Sequence, residues 1–151
     1  MPKKIAKDIP LAEITLRRYE KPSNIKGREL VRKLCLSIGL LQPGDSRDVI
    51  VDIVSVLLNA KKDKKGLTSE EIEKEVIAER KKHKLPMLGI APSNVRRQLK
   101  RLKDMFLVES IANRYNISEF ESLQTIFEEK IERFYLKNIV ERVKGYFSAL
   151  E

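Results

Sequence analysis

Between Ser93 and Phe106, apolar residues repeat at the three- and four-residue spacing of a helix that is buried on one side only. On a helical wheel Val95, Leu99, Leu102 and Phe106 lie within about 40° of one another, a narrow strip suited to docking on a core. The opposite side carries Arg96, Arg97, Lys100, Arg101 and Lys103. The sequence therefore predicts a helix over 93–104 that seats one face on the protein and presents a row of cations outward.

The net charge agrees with that row. The 151 residues include 31 Lys and Arg against 22 Asp and Glu, a formal net charge of +9. Residues 118–151 hold five basic and seven acidic side chains, so the positive excess lies wholly upstream. Such a charge favours polyanionic partners but does not by itself choose among DNA, RNA and acidic membranes. With no long apolar run and no export signal, we expect no membrane partner and a cytoplasmic location.

Three further helices are predicted upstream. One runs from Arg28 to Leu41 and stops at Pro43-Gly44, and the next begins at a cap on Asp45 or Ser46 and extends to about Ala60. The third opens with a reciprocal capping box between Thr68 and Glu71 and continues to about His83. The first two helices are apolar enough to be core elements.

Short β-prone runs follow the cationic helix. Phe106 to Ile111 and Arg114 to Ile117 flank Ala112-Asn113, a two-residue turn in which Asn accepts positive φ readily. A capped helix, a connection, a cationic helix and a hairpin follow one another in the order of a winged helix-turn-helix domain. The predicted fold class is thus mostly α, with a small β-hairpin wing and additional C-terminal helices.

These segments resemble the archaeal winged-helix proteins described as predicted transcriptional regulators. The resemblance covers about residues 46–117 and rests on Leu67-Thr68-Ser69-Glu70-Glu71-Ile72, on the run from Ser93 to Leu102, and on Leu107-Val108-Glu109. It implies that the helix from Ser93 enters the major groove and that the hairpin near Asn113 touches the backbone or minor groove. The connection from His83 to Ser93 is longer than a tight helix-turn-helix has.

Nucleic-acid contacts are assigned by the chemistry of each side chain. Arg binds phosphates and guanine edges, Asn94 suits an adenine edge, and Ser93 as N-cap leaves backbone N–H groups near a phosphate. The alternative is that such a cationic face is merely solvated. The candidate DNA-binding residues are Ser93, Asn94, Arg96, Arg97, Lys100, Arg101, Lys103, Thr68, Ser69, Asn113 and Arg114.

After Ser118 two apolar stripes follow one another on helical spacing. The first holds Phe120, Leu123, Phe127, Ile131 and Phe134, and the second holds Leu136, Ile139, Val140, Val143, Phe147 and Leu150. In one straight helix the stripes point in roughly opposite directions, so we expect a break or kink near Tyr135 that gives two helices. The two stripes either form a homodimer interface or fold back on the N-terminal helices, and we expect homodimerisation through residues 120–147.

Catalytic, metal and cofactor sites are not predicted. His83 is the only histidine and lacks partners at metal-ligand spacing, and the acids near Glu70 suit a helix N-terminus. No phosphate-binding glycine loop, nucleophile elbow or zinc-protease motif occurs. Cys35, the only cysteine, is interpreted as a small buried hydrophobe.

The sequence as a whole predicts three parts: a basic N-terminal arm (1–26), a winged helix-turn-helix domain (27–117) and a C-terminal helical dimerisation segment (118–151). We expect a nonenzymatic transcriptional regulator that binds double-stranded DNA as a homodimer. Two alternatives remain open, namely a winged helix used for protein contacts, and RNA or ribosome association through the arm and Lys61 to Lys65.

Overall fold

The computed structural model describes residues 8–151. The α-helices are α1 (Gly27–Ser37), α2 (Val49–Lys62), α3 (Ser69–Lys82), α4 (Pro92–Asp104), α5 (Leu123–Ile126) and α6 (Lys137–Leu150), with strands β1 (Val108–Ile111) and β2 (Arg114–Ile117) between α4 and α5. A 3₁₀ turn (Ser118–Phe120) and a π-helix (Phe127–Leu136) complete the order. The mostly helical chain with one small hairpin agrees with the predicted secondary-structure content. Lys3, Lys4 and Lys7 of the predicted arm lie outside the described residues.

Helix α2 forms the centre of the core. Eight of its residues are buried, and it contacts α1, α3, α4 and β2. A helix surrounded in this way is apolar on most faces, and its polar residues Asp52, Ser55 and Asn59 share one narrow face. The remaining core residues come from the inner faces of its neighbours, including Cys35, Ile72, Val76, Val95 and Leu99.

The boundaries of the first two helices differ from those predicted. Helix α1 ends at Ser37 because Gly39 takes φ +77° and a Cβ there would lie 2.7 Å from the Thr15 Cβ. Helix α2 begins at Val49, so the predicted cap on Asp45 or Ser46 was wrong. Asp48 occupies the N-cap position without a side-chain capping bond, because its carboxylate is bound by arginines.

Those arginines form a buried ion cluster between three helices. Arg80 of α3 donates to Asp48 and Asp52 of α2 at 3.1 and 2.6 Å, and also to the Pro86 carbonyl at 2.8 Å. From α1, Arg28 binds both carboxylates and Arg32 binds Asp48. Burial alone would raise the pKa of Asp48, but the hydrogen bonds from Arg80 and Arg28 outweigh it and lower that pKa.

The capping box and the hairpin are confirmed. Thr68 Oγ1 accepts from Glu71 N at 3.2 Å, and Glu71 Oε1 accepts from Thr68 N at 2.9 Å. Val108 pairs with Ile117 and Ile111 with Arg114 across β1 and β2. Ala112 and Asn113 form the turn with φ of 51° and 63°, the left-handed pair that a two-residue hairpin requires. Leu67 adds an antiparallel β-bridge to Tyr115.

Helical structure runs without interruption from Leu123 to Leu150, so the chain does not break near Tyr135. The π-helix changes to an α-helix after Leu136, next to the position where a break or kink is predicted. The residues at both ends of the π-helix keep right-handed helical dihedrals. Each π turn takes more residues than an α turn, which shifts the direction of later side chains. Tyr135 rather than Phe134 therefore faces the body of the protein, where its ring meets Phe106 edge to face at 5.6 Å.

The described part of the predicted arm packs along the body. Residues 9–26 contain neither strand nor helix. Arg17 donates from its guanidinium to the Leu36 and Leu41 carbonyls at 2.7 and 3.1 Å, and the Glu13 backbone exchanges two hydrogen bonds with the Tyr135 hydroxyl. The segment thus ties α1 to the C-terminal helical segment.

Candidate nucleic-acid interface

Helix α4 begins one residue earlier than predicted, at Pro92. Proline suits the first position of a helix because its fixed φ is helical and its missing N–H has no partner there anyway. Ala91 occupies the N-cap position, so the prediction of Ser93 as N-cap was wrong. Ser93 lies in the first turn with an exposed side chain, and its hydroxyl remains at the end of the helix that attracts anions.

The two faces of α4 separate as the sequence predicts. Val95 and Leu99 are fully buried and Leu102 is 1% exposed, in contact with the core around α2. The side chains of Arg96, Arg97, Lys100 and Lys103 are all exposed. Arg101 is half-buried and donates to Gln98 Oε1 at 2.7 Å, which places it at the border between the two faces. The apolar stripe therefore fixes the direction of the cations.

Asn94 differs from its expected role. Its amide nitrogen donates to the Gly89 carbonyl at 2.7 Å, and its amide oxygen accepts from Arg97 at 2.6 Å and from Gln98 at 3.2 Å. Both ends of the amide are therefore engaged inside the molecule. Asn94 anchors the loop before α4 and holds the Arg97 guanidinium over the helix end, so we retain Asn94 as a positioning residue rather than a reader of adenine.

Acidic side chains neutralise little of the positive charge on the exposed face of α4. Lys100 Nζ lies 3.1 Å from Asp104 Oδ2, and both side chains are mostly exposed. An exposed pair of this kind contributes little free energy and exchanges its carboxylate for a phosphate at small cost. Asp104 is the only acidic residue of α4, and it stands at the C-terminal end. The face from Ser93 to Lys103 thus stays cationic.

The hairpin brings a second basic cluster to the structure. Arg114 Nη1 donates to the Gly66 carbonyl and to Glu71 Oε1, both at 3.2 Å, so this candidate residue is partly engaged. Hydrogen bonds to Thr68 lower the pKa of Glu71, which keeps the carboxylate charged beside Arg114. Gly66 lies against Arg114 of β2, and Lys62, Lys64 and Lys65, which precede Gly66 in the chain, are exposed. Asn113 is exposed at the tip.

A polar cleft borders the other end of α4. It has a volume of about 420 Å³ and lies between the loop 40–47 and the first turns of α4. Arg47, Arg97 and Arg101 line it, with Asp45 as the acidic residue. Arg47 had no signal in the sequence, because it lies in a loop without periodicity; only the approach of that loop to α4 makes it part of this surface.

Comparison with protein-family models, with curated proteins and with solved structures finds no match to this chain. The case for a function therefore rests on the residues and their geometry.

The other two predicted contacts lie at the start of α3. Thr68 accepts through its hydroxyl from Glu71 and is half-buried, so its first role is to cap the helix. Ser69 follows in the first turn and is also half-buried. Both lie at the N-terminus of α3, where Glu71 accepts from Thr68 N and Glu70 adds a second carboxylate, so this helix end suits a phosphate less well than the N-terminus of α4, which has no acid in its first turn.

The predicted dimerisation residues divide into two groups. Ile131 is 1% exposed, and Phe120, Leu123 and Phe127 are half-buried against the body. Phe134 is 62% exposed, Val140, Val143 and Phe147 are exposed, and Leu136 and Ile139 are half-buried. The first stripe thus largely folds back on the protein, as the alternative expected, while the second points to solvent from Val140 onward.

Within residues 8–151 no group of three His, Cys, Asp or Glu is arranged to hold a metal ion, and no helix has the length and apolar character to cross a membrane. Cys35 is fully buried, and burial raises the pKa of its thiol to about 12. The thiol is therefore protonated at neutral pH, which confirms the interpretation as a buried hydrophobe.

Proposed function

We propose that this protein is a transcriptional regulator with a winged-helix fold that binds double-stranded DNA in a sequence-specific manner, acting as a homodimer in the cytoplasm. The observation that carries the proposal is the orientation of α4: its cations are exposed while Val95, Leu99 and Leu102 are buried. A helix held in this way fits the major groove with cationic side chains directed at phosphates and base edges.

Within the proposal each element has a distinct task. Arg96, Arg97, Lys100 and Lys103 contact phosphates and bases, with Arg101 at the border. The turn at Asn113, together with Lys64 and Lys65, contacts the backbone beside the major groove. Single-stranded RNA is bound chiefly by stacking on exposed aromatic side chains, and α4 carries none, so its row of cations favours duplex DNA.

The test is a binding titration of wild type and Arg97→Ala/Lys100→Ala with a labelled random duplex over a series of salt concentrations. Loss of two phosphate contacts should reduce the slope of log K against log salt by about 2 and weaken binding at least about tenfold. Lys81→Ala/Lys82→Ala, which removes the same charge from the exposed end of α3, is the matched control.

Two outcomes would overturn the proposal. One is equal binding of the α4 double variant and wild type at every salt concentration. The other is stronger competition by single-stranded RNA than by duplex DNA, which would favour the RNA alternative. Selection of bound sequences from random duplexes then tests sequence specificity, because a nonspecific binder enriches no motif.

A further inference from the structure

Helix α6 carries a stripe of apolar side chains that are exposed to solvent. Measured against the described residues, no side chain of α6 is buried, and Val143, Phe147 and Leu150 are 47, 67 and 88% exposed. With Val140 they repeat every three or four residues along a helix of 14 residues, about 21 Å long. A continuous exposed stripe of this size is typical of a protein contact surface.

The same chain carries an apolar groove that nothing in residues 8–151 fills. One cavity of about 500 Å³ and a second of about 420 Å³ share Leu34, Ser37 and Leu123 as lining residues. The charged groups at this groove are already paired: Lys33 binds Glu20 at 2.7 Å, and Arg17 donates to backbone carbonyls. The groove thus suits apolar side chains rather than a charged ligand.

We propose that the occupant of this groove is α6 of a second copy, with the helical segments 123–150 of the two chains packed antiparallel about a twofold axis near Lys137. This arrangement rests on the homodimer of the proposed function and specifies its geometry. Each chain contributes one groove and one free helix, so the contact is isologous and closes at two copies.

The apolar positions support this register. A twofold axis near residue 137 sets Phe127 opposite Phe147 of the second copy, and brings Leu123 within one residue of the level of Leu150 of the second copy. Phe134, whose side chain is 62% exposed, meets Val140 of the second copy. Val140, Phe147 and Leu150 of α6 thereby each meet an apolar residue of the segment 123–136 of the second copy. Parallel packing would instead pair α6 with itself and leave both grooves open.

The charges favour the same direction. The π-helix Phe127–Leu136 carries three acids and two bases, whereas α6 carries three bases and one acid. Antiparallel packing sets Glu132 level with Arg142 of the second copy, and Arg133 level with Glu141 of the second copy. Lys130 lies level with Lys144 of the second copy, and Lys137 lies level with itself at the axis. These lysine side chains are long enough to extend into solvent. Parallel packing would instead set the two acidic π-helices side by side and the two basic α6 helices side by side.

Cross-linking of exposed engineered cysteines tests the direction. Gln124→Cys and Leu150→Cys lie at opposite ends of the segment and meet only between antiparallel chains. We expect a short bismaleimide to link a mixture of the two variants and to leave each variant alone unlinked, because like positions are then more than about 30 Å apart. Cys35 stays in place, since its thiol is buried and protonated. Cross-linking of each single variant with itself would overturn the antiparallel arrangement.

Sedimentation equilibrium in the absence of DNA tests whether a second copy of the chain occupies the groove. Phe147→Glu charges the stripe of both copies and should weaken the dimer about 1,000-fold, whereas Ala149→Glu, on the far side of α6, should leave it unchanged. Circular dichroism checks that helix content is retained. A monomeric wild type at the highest soluble concentration would overturn the inference. DNA binding is measured separately, so a dimer that ignores duplex DNA would refute the proposed function and leave this inference standing.

Discussion

Arg80 Nη1 lies 2.6 Å from Asp52 Oδ2, and both side chains are only 1% exposed. This pair joins α3 to α2 at the centre of the molecule, and Asp48 lies 3.1 Å from the same guanidinium nitrogen. A buried charge is tolerated only when its partners and hydrogen bonds are in place. Among residues 8–151, every buried polar side-chain atom has such a partner.

Replacing Arg80 by Met should therefore destabilise the protein strongly. The two carboxylates would lose their most buried partner, and removal of one side of a buried pair costs about 3–5 kcal/mol. Urea unfolding measures the loss. Arg96→Met, an exposed change of the same chemistry, should shift the free energy of unfolding by less than about 0.5 kcal/mol. Equal effects of the two substitutions would mean that the cluster contributes nothing.

Low pH should weaken the buried ion cluster, because Asp48 becomes protonated. Arg80 and Arg28 lower the pKa of Asp48 in the folded state, so its contribution to stability is complete above the ordinary pKa near 4 and is lost as pH falls toward the folded value. We expect the stability difference between wild type and Asp48→Asn to be constant from about pH 7 to 5 and to shrink below about pH 4. A difference that stays constant to pH 2 would contradict this.

Loss of the capping box of α3 should lower the free energy of unfolding. Thr68→Ala removes the oxygen that accepts from Glu71 N and should cost about 1 kcal/mol in thermal or urea unfolding. Thr68→Ser keeps that oxygen and should retain most of the stability. If Ser and Ala variants unfold alike, the hydroxyl does not cap α3.

The turn of the hairpin offers a stabilising substitution. Ala112 has φ 51°, a left-handed conformation that costs a residue with a Cβ roughly 1 kcal/mol and glycine nothing. Ala112→Gly should thus raise the free energy of unfolding by about 0.5 kcal/mol, whereas Ala149→Gly in α6 should lower helix stability. A loss of stability in Ala112→Gly would indicate a different turn.

The lysines beside the hairpin should affect DNA binding without sequence preference. Lys64→Ala/Lys65→Ala removes two exposed charges from the loop that meets β2. If they contact phosphates, the affinity for any duplex falls and the salt slope decreases by about 1 per lysine. The motif enriched from random duplexes should not change. An altered motif would show instead that this loop reads bases.

The C-terminal segment shows what an α-helical period does not record. The two apolar stripes are visible in the sequence, and a break or kink was inferred because an α-helical period was applied throughout. The π-helix between Phe127 and Leu136 changes the direction of the side chains without ending the helix. Its hydrogen bonds span five residues rather than four, and no single residue signals that change.

Local periodicity and turn chemistry determined much of this protein from the sequence alone. The burial of Val95, Leu99 and Leu102, the Thr68 capping box and the Ala112-Asn113 turn all depend on residues within a few positions of one another. Only the tertiary structure decided that Asp48 and Asp52 meet Arg80, that Arg47 borders α4 and that Asn94 is engaged in the loop before it. Those contacts join distant segments, and their energies depend on packing and burial that no local pattern records.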